Sequence, residues 1–117
     1  MRILRNLTLH YQGDREVALA AARGFDLTRE PEGVNVAPGQ QGLRNALLKL
    51  VARLRECRRK GEAVLLGGHT GLWVAAIAHL VTNGEALPEL YYFDTRRVHD
   101  AEGRFVFEPE DLVRLEW

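Results

Sequence analysis

Cysteine is nearly absent from the sequence, and so is any long apolar segment. The 117 residues include a single cysteine, Cys57, which excludes a disulfide within the chain and points to a reducing compartment. The N-terminus lacks the apolar core of a secretory signal peptide. The longest apolar stretch, Leu72 to Leu80, is interrupted by His79 and is far too short to span a bilayer. These shortages predict a cytoplasmic protein with no membrane partner.

An excess of charge of either sign is missing as well. Sixteen Lys and Arg residues are balanced by sixteen Asp and Glu residues. Proteins that grip long duplex nucleic acid usually carry a basic surplus, so the balance disfavours that partner. A small anionic ligand needs only a local positive site and stays open. The length and the 46% of hydrophobic residues indicate a single domain over residues 1–117, long enough to bury a real core.

Strands and helices alternate in the hydrophobic pattern. The predicted strands cover residues 2–11, 34–36, 63–66, 90–98 and 104–107. The predicted helices run from the cap Asp14 through 22, from 43 through 60 and over 72–82, and residues 109–111 open a short helical turn. Residues 26–33 are expected to form a polar loop.

The same pattern predicts which faces are buried. The unbroken apolar run Ala63–Leu66 is typical of a strand buried on both faces. One buried stripe on the long helix comprises Leu43, Leu47, Leu50, Leu54 and Cys57. The helix over 72–82 is apolar nearly all round and is expected to be largely interior. Together these features predict an α/β fold: a Rossmann-like, mainly parallel sheet with helices on both faces, right-handed crossovers and a C-terminal β-hairpin.

Glycine marks three junctions between a predicted strand and the helix that follows it. They are residues 10–14 (HYQGD), 38–42 (PGQQG) and 67–71 (GGHTG). In a parallel sheet such loops lie at the carboxyl edge, where ligands bind at the point of reversed strand order. We therefore expect Gly13, Gln40 and Gln41 to contact a ligand together with the third junction.

The third junction carries the clearest chemistry. Gly67 and Gly68 permit a tight turn and a close approach of backbone to ligand. The amides through Gly71 precede a helix N-terminus, where free N–H groups and the helix dipole favour an anion. Thr70 adds a hydroxyl donor, and His69 adds an imidazole, a side chain that serves as a general acid or base in many sites. The alternative is a plain tight turn with Thr70 as the helix N-cap.

Three further side chains are candidates at the same edge. His10 ends the first predicted strand and is a candidate catalytic residue; a surface or core-edge histidine is the alternative. Arg96 and Arg97 near the end of strand 90–98 suit bidentate contact with phosphate. Because successive strand residues alternate in direction, only one of the two arginines is expected to face a ligand. An ordinary exposed charge pair is the alternative.

Other chemistries find no support in the sequence. No histidines and carboxylates have metal-ligand spacing, so neither a metal site nor another cofactor is predicted. The Gly-x-Ser-x-Gly elbow is missing and Cys57 lies on a core stripe, which disfavours nucleophilic hydrolase chemistry.

The segment 65–71 (LLGGHTG), the small-residue apolar helix after it and the strand segment 90–95 (LYYFDT) resemble the second half of a CARF domain. That family comprises CRISPR-associated Rossmann-like sensors of cyclic oligoadenylates. The resemblance covers residues 63–97. The chain departs from the family pattern in having His69 before Thr70 and no lysine after it.

The resemblance implies a function in type III CRISPR antiviral signalling. A homodimer would hold the cyclic oligoadenylate across its two-fold axis, and a stand-alone member would degrade or sequester it. Degradation would be a metal-independent ring-nuclease reaction, in which a ribose 2′-OH attacks the adjacent phosphate and leaves a 2′,3′-cyclic phosphate. His69 or His10 would be the general acid or base. The phosphate would be held by Thr70, the amides of 68–71 and one of the two arginines.

Further roles and rival functions stay open at this point. Tyr11, Trp73 and Tyr92 are candidates to stack on adenine, with core packing as the alternative for each. The rivals are a binding-only module that buffers the ligand, a Rossmann-like protein acting on another phosphorylated metabolite, and an interaction domain that uses helix 72–81 as a dimer face.

Overall fold

The computed structural model describes residues 1–10 and 12–116. Within them, strands and helices alternate as far as α3, and two strands follow. The elements are β1 (Arg2–Asn6), α1 (Asp14–Ala22), β2 (Phe25–Arg29), α2 (Gln40–Lys60), β3 (Ala63–Leu65), α3 (Thr70–Thr82), β4 (Leu90–His99) and β5 (Phe105–Arg114). None of the helices in these ranges is long and apolar enough to cross a membrane.

One mixed sheet organises the chain, in the order β2-β1-β3-β4-β5. The neighbours β2–β1, β1–β3 and β3–β4 are parallel, and β4–β5 is antiparallel. The strand order reverses at β1, because β2 lies on one side of it and β3 on the other. The predicted α/β class, the mainly parallel sheet and the C-terminal hairpin are confirmed.

Two separate cores lie on the two faces of the sheet. Val64 packs with Leu54 of α2 and Leu72 of α3. Its neighbours Ala63 and Leu65 point the other way and pack with Ala20 of α1. All three residues of β3 are buried, so the predicted strand with two buried faces is confirmed. Each fully buried leucine contributes about 1.5–3 kcal/mol to folding.

The N-terminal third of the chain departs from the predicted elements. Residues 26–29 of the predicted loop 26–33 belong to β2, whose Phe25 and Leu27 are buried. Turn-forming residues follow this strand directly. The predicted strand 34–36 is not a strand: the Val34 N–H donates to Leu7 O at 2.8 Å and its side chain enters the core. The strand predicted for 2–11 ends at Asn6, and Leu9 adopts a φ of 60°.

The predicted helices are also corrected in detail. α2 begins three residues early, at Gln40, and ends as expected at Gly61, whose φ is 71°. Its buried stripe holds Leu50, Leu54 and Cys57, but Leu43 is exposed.

The helix α3 is not largely interior, as its composition had predicted. Val74 is 62% exposed and Val81 58% exposed, on one outward apolar face. The helix was expected to be buried on all sides because its sequence carries no polar face. The rest of the described chain packs against one side, and the side with Val74 and Val81 is exposed.

The hairpin is longer than predicted, and Pro109 marks the difference. β5 continues to Arg114, so residues 109–111 form no helical turn. The register with β4 shifts between Asp94 and Thr95, where Pro109 takes part in an irregular pairing. Proline is tolerated at such irregularities because it has no N–H to donate to a ladder. The Pro109 carbonyl accepts a hydrogen bond from Arg15 Nε at 2.6 Å, which joins β5 to α1.

A buried carboxylate joins β1, α2 and the end of β2. Glu30 is 9% exposed, and its Oε1 lies 2.6 Å from Arg53 Nη2 and 3.6 Å from Arg5 Nη1. The Arg5 guanidinium also pairs with Glu62, and that hydrogen bond, with the nearby carboxylates, raises the pKa of Arg5. Removing one partner of such a cluster leaves a buried charge uncompensated, which is costly.

The Cys57 thiol is predicted to be inert in the folded protein. Cys57 is 2% exposed, and burial raises the pKa of its thiol to about 11. Because only the thiolate reacts, we expect 5,5′-dithiobis(2-nitrobenzoate) at pH 8 to label the native chain about 100-fold more slowly than the chain in guanidinium. A Cys57→Ala/Thr82→Cys variant, with its cysteine on an exposed position of α3, is the control. Equal rates for the two native proteins would contradict the burial described here.

Candidate functional site

The candidate site lies where β1 and β3 end side by side. These strands are parallel neighbours, with Leu4 opposite Ala63 and Arg5 opposite Val64. They are also the pair at which strand order reverses, the place where open α/β sheets bind ligands. Two segments leave the sheet there, residues 7–10 after β1 and residues 66–69 after β3.

The Gly67 carbonyl ties these two segments to α3. It accepts a hydrogen bond from Thr8 Oγ1 at 2.7 Å and another from Trp73 Nε1 at 2.6 Å. Both donors belong to buried residues, each 5% exposed. With two donors on one carbonyl, the peptide group between Gly67 and Gly68 is fixed in orientation. Trp73, a candidate for stacking on adenine, is therefore a core residue that holds the turn.

Gly68 allows His10 to lie directly against the turn. Gly68 has a φ of 91°, which a residue with a side chain rarely adopts. A Cβ on Gly68 would lie 2.7 Å from Cδ2 and 2.8 Å from Nε2 of the His10 ring, well inside contact distance. His10 is exposed at this edge. The structure thus brings the first and third glycine junctions into direct contact.

His69 is the N-cap of α3, a role that the sequence had suggested for Thr70. The Leu72 N–H donates to His69 Nδ1 at 3.0 Å, and Thr70 is the first residue of the helix. A ring nitrogen that accepts from an amide carries no proton, so the neutral ring has its N–H at Nε2. The hypothesis that Thr70 caps the helix is wrong.

The first turn of α3 keeps donors available for an anion. Among residues 1–10 and 12–116, the amides of Thr70 and Gly71 find no acceptor, and the first turn of α3 contains no acidic residue. Thr70 and Gly71 are both exposed. Free N–H groups at a helix N-terminus favour a negatively charged ligand.

The N-terminus of α1 is different, because it carries its own anions. Asp14 and Glu16 lie in its first turn, and the N-cap is Gly13. Glu16 curls back over Gly13, so a Cβ there would lie 2.6 Å from Glu16 Oε2. Negative charge in the first turn offsets the dipole of this helix and repels a second anion. The structure places Gly13, a predicted phosphate contact, beside Glu16.

Gln40 and Gln41 are the first two residues of α2, a helix of 21 residues that leads to β3. Gln41 Nε2 donates to Asn45 Oδ1 at 3.0 Å. In the described part of the chain, no hydrogen bond joins either glutamine to residues 67–71.

Arg96 and Arg97 lie on the hairpin, which extends beyond the same edge. β4 continues eight residues past Tyr91, the partner of Leu65 in β3. The two arginines lie on opposite faces, as the alternation predicted. Arg96 Nε lies 3.1 Å from Glu110 Oε1, and the Arg97 guanidinium lies 3.6 Å from the centre of the Phe105 ring. Both cations are thus engaged within the hairpin.

An open cavity of about 360 Å³ adjoins the turn, lined by residues that include Gly68, Thr70, Trp73 and Val74. A larger cavity of about 500 Å³ lies elsewhere, between α2 and the loop after β2. Of the remaining stacking candidates, Tyr92 is 37% exposed on β4, and Tyr11 lies outside the described residues.

No family model, no curated protein and no solved structure matches the chain. The candidate site therefore stands on its own geometry. Sequence analysis missed Thr8, although the alternation of residues 7–10 placed it on the same predicted strand as His10. Nothing in the sequence pointed to the left-handed backbone at Leu9.

Gly68→Ala is predicted to displace His10 as well as strain the backbone. A matched control exists in Gly24→Ala, because Gly24 has a φ of 81° but nothing within 4 Å of an added Cβ. We expect Gly24→Ala to cost about 1–2 kcal/mol of unfolding free energy for the backbone alone, and Gly68→Ala to cost more. In a His10→Ala background the extra cost should disappear, as measured by urea unfolding. An equal cost for the two glycine variants would contradict the contact.

Proposed function

We propose that this chain binds a cyclic oligoadenylate at the carboxyl edge of β1 and β3 and cleaves it as a metal-independent ring nuclease. The observation that carries the proposal is the His10 ring lying against Gly68, next to the free amides of α3. An imidazole next to helix-terminal amides, at the point of reversed strand order, is the arrangement on which the proposal is based. The adenylate class and the Rossmann-like, CARF-like character come from the resemblance of residues 63–97.

The phosphate would be held by backbone and one imidazole. The amides of Thr70 and Gly71 belong to the first turn of α3, and both residues are exposed, with the Thr70 hydroxyl as a further donor. His69 Nδ1 accepts the hydrogen bond that caps α3, which leaves the Nε2–H of the ring as a donor. These groups supply hydrogen bonds to phosphoryl oxygens, whose charge increases as the reaction proceeds.

The reaction would be an internal transfer at one phosphodiester. The ribose 2′-oxygen loses its proton, bonds to the adjacent phosphorus and displaces the 5′-oxygen, which takes up a proton. The products are a 2′,3′-cyclic phosphate and a free 5′-hydroxyl, with no water or metal consumed. His10 is the proposed general acid or base, because neutral His69 has no free lone pair while it caps α3.

The wider proposal is a cytoplasmic homodimer that ends a type III CRISPR antiviral signal. The exposed apolar face of α3, with Val74 and Val81, offers a surface for a second copy next to the site. A face of this kind is commonly covered by a partner.

A binding-only function is the second candidate, and one observation favours it. Arg96 and Arg97 are engaged by Glu110 and Phe105. Neither of these two arginines is then available to the phosphate, and without them the transition-state charge would fall on the uncharged donors of residues 68–71. Such a protein would hold the ligand without turning it over.

A gel assay distinguishes these functions. Radiolabelled cyclic tri-, tetra- and hexa-adenylate are incubated with the protein in EDTA, and each sample is run on native and denaturing gels. We expect a retarded band and a linear product that ends in a 2′,3′-cyclic phosphate, and we expect His10→Ala to lose the product but keep the band. Retardation without product would leave the binding-only function. The absence of both would return the turn to a structural role, and a competing mononucleotide would point to another metabolite.

Substitutions at His69 separate anion binding from helix capping. Asn and Asp have nearly the same shape and both cap helices well, but only Asp adds a negative charge. We expect His69→Asp to weaken binding of the labelled ligand at least about tenfold relative to His69→Asn, since a like charge beside a phosphate costs on the order of a kcal/mol or more. Thermal unfolding should find the Asp variant as stable as the Asn variant. Equal binding by both variants would contradict a phosphate at this helix end.

A further inference from the structure

Asn6 is a buried polar residue at the end of β1, and it faces the α1 side of the sheet. It is 1% exposed, one of only three buried polar or charged residues in the described chain. Its Nδ2 donates to the backbone carbonyl of His10 and, at 2.9 Å, to Oε1 of Gln12. Gln12 Nε2 in turn donates to Leu27 O at 3.3 Å, on β2. Because both amide groups end on backbone carbonyls, their orientation follows from the hydrogen bonds.

The side-chain oxygen of Asn6 indicates that packing in the core is not the whole role of this residue. Among the described residues, Asn6 Oδ1 is the buried side-chain atom that has no hydrogen-bond partner. A buried acceptor without a partner destabilises the folded state, and this cost is set against the two hydrogen bonds that Asn6 Nδ2 donates. The part of the side chain that makes hydrogen bonds is Nδ2, which holds the segment leading to His10.

That segment has an unusual backbone, which needs such a hold. Leu9 adopts a φ of 60°, in a region that bulky side chains avoid. Its side chain is packed so closely over Gly33 that a Cβ there would lie 2.3 Å from Leu9 Cγ. Thr8 on one side bonds to Gly67, and Asn6 bonds to the carbonyl of His10 on the other. The left-handed residue thus turns the chain between two fixed points.

We infer that Asn6 is a positioning residue for His10: it holds the carbonyl of His10 across the Leu9 turn and so keeps the imidazole against Gly68. The contribution of Asn6 to catalysis rests on the proposed function. The placement of the His10 ring is independent of that function and can be measured in the ligand-free protein.

Nuclear magnetic resonance of the ligand-free protein tests the placement. We expect nuclear Overhauser contacts between the His10 ring and the α protons of Gly68 in the wild type, and their loss in Asn6→Leu. Asn83→Leu is the matched control, since exposed Asn83 contacts His79 at the far end of α3 and should disturb His79 signals alone. Unchanged His10 contacts in folded Asn6→Leu would overturn the inference.

If Asn6→Leu shows no cooperative unfolding transition and is therefore not folded, the inference is tested in the wild type instead. We expect the side-chain amide protons of Asn6 to exchange with solvent at least about tenfold more slowly than those of exposed Asn35. Equal exchange rates would mean that Asn6 holds nothing, which would overturn the inference as well.

The catalytic arm uses the labelled cyclic adenylate that the wild type cleaves. Misplacing a catalytic group by about an ångström costs on the order of 100-fold in rate, so Asn6→Leu should lower the cleavage rate at least about tenfold and leave binding within about twofold. Adding Asn6→Leu to His10→Ala should leave any residual cleavage rate, measured in long incubations, unchanged. A further tenfold loss of that residual rate would overturn the inference, because Asn6 would then act by another route. If no cyclic adenylate is cleaved, the proposed function fails while the ring contacts still decide the placement.

Discussion

The two hydrogen bonds accepted by the Gly67 carbonyl are the constraint on which the site depends. One comes from Thr8 on the β1 side and the other from Trp73 on α3, so a single peptide group joins three parts of the fold. With that peptide fixed, Gly68 takes its left-handed conformation and leaves room for the His10 ring. His69 can then cap α3 through Nδ1. The order of the strands brings these segments together, and the Gly67 carbonyl sets their exact geometry.

The three helix N-termini at this edge differ in charge although they share a topology. α1 neutralises its own dipole with Asp14 and Glu16, whereas α2 and α3 have no acidic residue in the first turn. His10 lies against Gly68, in the turn that leads into α3, so the helix N-terminus that this contact brings to the His10 ring is that of α3. The acidic first turn of α1 disfavours a further negative charge, whereas the first turn of α3 carries no acidic residue.

Periodic features of the sequence predicted much of the fold, and local backbone exceptions limited the rest. The run Ala63–Leu66 and the stripe through Leu50 and Leu54 gave a buried strand and a long helix that the structure confirms. β2 was missed because only Phe25 and Leu27 mark it and turn residues follow at once. The contact between the first and third junctions followed from topology, whereas the second junction follows no strand directly in the described chain. The cap at His69 was missed because threonine is the usual N-cap residue and histidine is not. The turn at Leu9 could not be predicted because it depends on packing against Gly33, which is distant in sequence.

The measurement that tests the central claim most directly is a titration of ¹⁵N-labelled protein with cyclic tri-, tetra- and hexa-adenylate, followed through backbone amide shifts. We expect one of these ligands to shift the amide signals of residues 8–10 and 67–72 most, and those of the first turn of α1 around Glu16 little. Shifts centred on the larger cavity beside Glu30 and Lys49, or no shifts with any of the three, would contradict it.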